Sequence, residues 1–170
     1  MELQAFKSKV LPIKDKLFRI ALNLMKSVED TEDVLQDVMV KLWNNRSQWE
    51  EYRSVEAFAV TITKNLCFDR LKTKKHKGHL DVQEMEIDSG FISPYHKIEL
   101  DDSVKTMVRV FEHLPQQQRL LLTLRDIEGF SYEEIAEQTG LEINNIRVGI
   151  SRARKKARED YLRIEDYEQL

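Results

Sequence analysis

The stretch Ser131-Tyr132-Glu133-Glu134-Ile135-Ala136-Glu137-Gln138-Thr139-Gly140, followed directly by LEINNIRVGISRARKKAR over residues 141–158, decides how the chain is read. Ser131 and Glu134 stand at the spacing of a capping box, in which the serine oxygen accepts from the Glu134 N–H and the glutamate carboxylate accepts from the Ser131 N–H. A short helix is expected to start there, to pack through Ile135 and Ala136, and to stop at Gly140, a residue that reaches the left-handed backbone a tight turn needs. A second helix follows at once. Ile143, Ile146, Ile150, Ala153 and Ala157 make its narrow apolar face, while residues 143–158 also hold six basic side chains and no acidic one. A helix fixed by its neighbour and positive on its outer side suits the major groove, where arginine bonds guanine edges bidentately and lysine meets phosphates. A basic amphipathic helix standing alone reads better as a solvated face. The capped helix, the glycine turn and the basic second helix together point to DNA.

Upstream of this motif, Leu100, Val104, Met107, Val108, Phe111 and Leu114 recur at helical spacing, and Pro115 is placed as a first helical residue before QQQRLLLTLRDIEG, residues 116–129. Residues 78–99 lose that periodicity, collect Gly78, Gly90 and Pro94, and carry Asp81, Glu84, Glu86 and Asp88. They read as an acidic linker. Before it, Phe6, Val10, Ile13, Leu17, Ile20 and Leu24 mark one face of a first helix. Asp30 is expected to cap a second, with Asp33 in its first turn, a stripe of Val34, Leu35, Val38 and Leu42, and an end near Trp43. After the polar residues 44–54, a third pattern runs through Val55, Phe58, Ile62 and Leu66 and ends in Arg70, Lys72, Lys74, Lys75 and Lys77. The expected fold class is all-α: two small helical domains, 1–77 and 100–170, joined by a flexible linker at 78–99, the C-terminal one a helix-turn-helix.

Composition agrees. Only 5 Gly and 3 Pro accompany 41% hydrophobic and 34% charged residues, which favours helices over a turn-rich β fold. A single cysteine, Cys67, leaves no internal disulfide framework, and implies a reducing compartment. Lysines interrupt the N-terminal residues where a signal peptide needs an apolar core, and no apolar run reaches the roughly 18 residues that span a bilayer, so a soluble cytoplasmic protein is expected. Net charge is −3, but the signs are segregated along the chain, and the distribution matters more than the sum. The histidines at 76, 79, 96 and 113 show no metal-ligand spacing, and no phosphate loop, nucleophile elbow or paired carboxylates appear. Neither a metal, a cofactor nor an intrinsic catalytic activity is expected.

Residues 114–159, LPQQQRLLLTLRDIEGFSYEEIAEQTGLEINNIRVGISRARKKARE, resemble the fourth conserved region of extracytoplasmic-function (ECF) RNA polymerase sigma factors. In the first half, DTEDVLQDVMVKLWNN (30–45) is similar to that family's polymerase-binding helix, and FAVTITKNLCFDRLKTKK (58–75) to its promoter-melting, minus-ten-reading segment. The resemblance implies a transcription-initiation specificity subunit whose partners are core RNA polymerase, promoter DNA and an anti-sigma factor, free or membrane-bound. By that resemblance Asp33, Gln36 and Asp37 would meet the polymerase clamp. The loop Glu51 to Ser54, with Arg53 and Ser54, and Asn65 would capture an unpaired base of the minus-ten element, while Arg70 and Lys72 hold neighbouring phosphates. Asn144, Asn145, Arg147, Ser151, Arg152, Arg154 and Lys155 would meet the minus-thirty-five duplex. Four positions depart from the family pattern. Val148 and Gly149 stand where a small polar and a basic residue are usual, Asp37 replaces the usual glutamate, and Phe58 the usual tryptophan.

Other readings of the same residues remain in view. A free-standing helix-turn-helix regulator would bind duplex DNA as a dimer, yet the first half shows neither βα alternation nor a long heptad seam. A helical adaptor would use the basic helix to dock proteins. Trp43 and Phe58 read as core, Trp49 is open between core and base stacking, and Cys67 reads as a small buried hydrophobe. Lys72 to Lys77 by themselves would be a solvated helix end.

Overall fold

Apolar residues at three- and four-residue spacing need a partner for each stripe, and the chain supplies one within each half. The computed structural model describes residues 3–76, 106 and 109–168, and all regular structure among them is helical. It divides into two units, Met1–Ser89 and Gly90–Leu170. The linker expected at 78–99, and Leu100, Val104, Met107 and Val108, lie outside the described residues.

In the first unit the helix expected from Phe6 to Leu24 is two helices, α1 (Leu3–Val10) and α2 (Lys14–Met25), separated by a 3-10 turn, Leu11–Ile13. Pro12 causes the break, because it has no N–H to donate to the preceding turn and its ring crowds the carbonyl four residues back. α2 stops at Lys26, which takes the left-handed conformation at φ 58°. α3 (Val28–Asn44) starts earlier than expected. Its N-cap is Ser27, whose hydroxyl accepts from the Asp30 N–H at 3.2 Å, so Asp30 lies inside the first turn rather than at the cap. A 3-10 stretch, Arg46–Glu51, leads to α4 (Val55–His76).

The core joins Leu17, Ile20, Ala21 and Leu24 of α2 to Val34, Val38 and Leu42 of α3. α4 packs against both helices, and its buried centre is Ala59, Val60, Thr63 and Cys67. The expected stripe of Val55, Phe58, Ile62 and Leu66 is only half-buried, with Val55, Ile62 and Leu66 along one edge of that centre and Phe58 turned further outward. A helix seated against two others brings small side chains to the line of closest approach and leaves larger ones at the flank. Trp49 is buried, donating its indole N–H to the Leu42 carbonyl at 3.2 Å, and Phe6 of α1 packs on both Trp49 and Trp43 with ring centroids 5.5 and 5.1 Å away. The indole left open between core and base stacking therefore belongs to the core.

Burial pushes the Cys67 thiol up to about 12, and Arg70 only partly offsets this. At pH 8 the thiolate fraction is then on the order of one in ten thousand, so Cys67 is expected to resist a thiol reagent until denaturant opens the unit. Fast labelling of the native chain would show the site to be open. The unfolded thiol releases its proton near its ordinary value of about 8.5, whereas the folded one retains it. Stability from this group is therefore complete below about pH 8.5 and falls as pH rises towards 12.

In the second unit, helical residues 109–112 precede α5 (Gln116–Leu122), which continues into a π-turn, Thr123–Ile127. Pro115 is the residue before the first helical one. Its ψ of 145° is extended, and its carbonyl accepts from the Arg119 N–H at 2.9 Å. α6 (Tyr132–Thr139) and α7 (Ile143–Glu168) form the helix-turn-helix. Both bonds of the Ser131/Glu134 capping box are present, and Gly140 ends α6 at φ 73°. Ile146, Ile150 and Ala153 are fully buried. The late part of α7 also belongs to the unit, since Ala157 and Ile164 pack on a cluster that contains Val110, Phe111, Leu114 and Leu122.

Candidate nucleic-acid interface

The buried line Ile146, Ile150, Ala153 sets how α7 is turned about its axis. At roughly 100° per residue, this places Asn144, Val148, Ser151 and Lys155 opposite the core, Arg147 and Arg154 on one flank, and Asn145, Arg152 and Lys156 on the other. All of these side chains are exposed. Gly149 points inward instead, and a Cβ built on it would lie 2.7 Å from Leu121 Cδ1. A larger residue there would have to displace the end of the Leu121 side chain, where α7 packs on α5.

Two arginines on this surface are held by the protein. The Arg154 guanidinium donates to both carboxylate oxygens of Asp126, at 2.8 and 2.6 Å, a bond that raises its pKa. Asp126 lies in the π-turn, whose extra residue re-aims the side chains of that segment. The Arg147 guanidinium lies 5.2 Å from the centroid of Tyr132, and Arg125 lies 4.6 Å from the same ring. These intramolecular contacts, absent from any count of basic residues, order a side chain before a ligand arrives.

In the first unit Asp33, Gln36 and Asp37 are all exposed on α3, away from the stripe of Val34, Leu35, Val38 and Leu42. Arg70 reaches this surface. It donates to Asp37 at 2.6 Å and stands 3.8 Å from Asp33, while Lys74 pairs with Asp30. A cation expected at DNA, Arg70, is thus paired with two acids expected at polymerase, and a second ion pair, Lys74 with Asp30, also joins α3 and α4. Arg70 and Lys72, grouped as neighbouring phosphate contacts, separate: Arg70 turns towards α3, whereas Lys72 lies two turns beyond Asn65 on the outward ridge of α4.

Asn65 lies opposite the buried line of α4 and is exposed. Ser54 caps α4, its hydroxyl accepting from the Ala57 N–H at 2.9 Å. The loop and Asn65 share one helix but stand about 15 Å apart along it, at a rise of roughly 1.5 Å per residue. Here the structure joins a loop residue that the pattern did not name, Tyr52, to Phe58, which it read as core. Tyr52 stacks on Phe58 with centroids 4.0 Å apart and planes at 19°. Phe58 falls seven residues before Asn65, so it shares that outward ridge and is half-buried rather than core. The available signal was the heptad spacing of Phe58, Asn65 and Lys72.

Family models match both units. The model described as Sigma-70 region 2 matches residues 11–77, and Sigma-70, region 4 matches residues 105–156. The ECF RNA polymerase sigma factor SigW of Bacillus subtilis is 24% identical over 157 residues, 86% of this chain and 83% of the relative. The ECF RNA polymerase sigma factor SigE of Mycolicibacterium smegmatis is 26% identical over 156 residues, 87% of this chain but 58% of the relative. Among solved structures, the sigma factor RpoE in complex with the anti-sigma factor NepR, from Bartonella quintana, is similar with a TM-score of 0.76 at 26% identity, covering 93% of this chain and 97% of that one. CnrH, solved in complex with the cytosolic domain of CnrY, shares the fold at a TM-score of 0.66 and 22% identity, covering 93% and 88%.

Proposed function

The chain belongs to the sigma-70 family of RNA polymerase sigma factors, in its ECF branch, and we propose from that premise a division of labour between its two units. The first attaches to core polymerase through Asp33, Gln36 and Asp37 and receives the melted minus-ten strand along the outward ridge of α4. The second enters the minus-thirty-five duplex with α7. The observation that carries this reading is the order of two independent elements, an exposed acidic helix with an asparagine ridge beside it, then a capped helix-turn-helix with a basic outer side.

A single strand is held by stacking and by charge. The Tyr52/Phe58 pair supplies an aromatic face, Asn65 supplies a donor and an acceptor for a base edge, and Lys72 supplies a charge for phosphate. Ser54 acts mainly by starting α4, since its hydroxyl is engaged at the cap. The chemistry of nucleotide addition belongs to the polymerase. As a polymerase subunit the chain works in the cytoplasm, in keeping with the absence, among the described residues, of a helix long and apolar enough to cross a membrane. The complex of RpoE with NepR supports an anti-sigma factor as a further partner.

Adding the purified chain to core polymerase and genomic DNA, and mapping transcription starts, tests the proposal. A defined set of promoters is expected. Tight sequence-specific binding by the free chain, with no selection of starts, would favour the free-standing regulator instead. Asp33→Ala with Gln36→Ala is expected to weaken binding to polymerase while leaving stability within about 0.5 kcal/mol, because both side chains are exposed and the Arg70–Asp37 pair survives. Unchanged polymerase affinity in a normally folded double variant would remove this surface from the contact.

A further inference from the structure

We propose that Val148 reads the C5-methyl group of a thymine in the minus-thirty-five duplex, an assignment that rests on the reading of α7 as the groove helix. Val148 is 48% exposed. A single apolar side chain on a surface is ordinary, so its exposure alone carries nothing. Its position does. The residues packed inward, Ile146, Ile150 and Gly149, turn Val148 to the middle of the outward row, between Asn144 one turn before it and Ser151 nearly one turn after.

Apart from Lys155 at the far end of that row, the longer basic side chains stand to its sides, and two on one flank already bond within the protein, Arg147 over Tyr132 and Arg154 to Asp126. What the helix presents first to a groove floor is therefore a short row, with amide and hydroxyl groups on either side of one branched hydrocarbon. The major-groove edge of each base pair offers hydrogen-bonding groups, and thymine alone adds a methyl. Valine has nothing to exchange with the former and matches the latter. Val148 also lies between the buried Ile146 and Ile150, on the part of α7 that packs against α5. The contact is thus made by a rigid part of the helix and discriminates by burial rather than by charge.

The test uses holoenzyme assembled from the full chain and core polymerase on a promoter that it selects. Each thymine of the minus-thirty-five element, on either strand, is replaced in turn by deoxyuridine, which removes the methyl and leaves every hydrogen-bonding group. At one position a loss of about fourfold in promoter affinity is expected, the value for withdrawing one methyl-sized group from an apolar contact. Val148→Ala, at an exposed site and checked by thermal melting, is expected to weaken the thymine promoter similarly and to make thymine and deoxyuridine equivalent at that position alone. Deoxyuridine tolerated throughout by the parent protein, a selected element without thymine, or a sensitivity that persists in Val148→Ala would overturn the assignment while leaving promoter selection intact. A parent chain that selects no promoter would overturn the sigma-factor reading, and this assignment with it.

Discussion

Ile150→Ala is expected to destabilise the second unit by about 2–5 kcal/mol and to abolish minus-thirty-five recognition, while the first unit still binds polymerase. Ile150 is 1% exposed and sits between the fully buried Ile146 and Ala153 on the inward line of α7. Truncation removes its transfer free energy and leaves a cavity that the neighbouring helices close only in part. The loss is a large fraction of what a unit of this size has to spare. The effect on DNA follows from the geometry, because the inward line determines which residues of α7 point outward. Differential scanning calorimetry of the full chain, together with polymerase binding and promoter-selective initiation, reads all three consequences. A variant that melts like the parent would show that α7 is not anchored through Ile150. Loss of polymerase binding in parallel with unit stability would show that the two functions are not divided between the units.

Arg147→Ala is expected to cost about 1–3 kcal/mol on the preferred minus-thirty-five sequence and to relax preference at one base pair, whereas Lys155→Ala weakens all sequences alike. The guanidinium of Arg147 lies over Tyr132, and a group held by its face keeps an N–H edge for a bidentate bond to guanine. Its place near the start of α7 suits a residue that reaches base edges from the flank of the inserted row. Lys155 lies in that row but two turns beyond Val148, where a flexible point charge meets phosphate and releases a counterion. Holoenzyme binding to a promoter library at several salt concentrations separates the two. Loss of one phosphate contact makes the log-log salt slope shallower by about one unit. If Arg147→Ala lowers every sequence equally and Lys155→Ala alters the preferred base, α7 lies in the groove in the reverse orientation.

Much of the architecture was legible because it rests on short-range physics. The Ser131/Glu134 box, the left-handed Gly140 and the Ile146/Ile150/Ala153 line involve residues within a turn or two of one another. The break at Pro12 was equally local, and the missing N–H of proline was the available signal. Ser27 and Asp30 were confusable as caps because both side chains can accept from a backbone N–H. The structure chose Ser27, and that freed Asp30 to pair with Lys74, 44 residues away.

By itself, then, the sequence determined the helical class, the apolar stripes of most helices, the separation of charge along the chain, and the helix-turn-helix with its basic second helix. These depend on periodicity, caps and composition, each of which a linear pattern contains. Only the tertiary structure decided which charges are already paired and which side chains lead. The Arg70–Asp37 and Arg154–Asp126 pairs join residues 33 and 28 positions apart, and no pattern in either helix names the other. Trp49 entered the core and Gly149 turned towards Leu121 for the same reason. How far each helix is rotated about its axis is set by close packing against its neighbours, and that rotation separates the members of a basic run into those aimed at DNA and those aimed at the protein's own carboxylates.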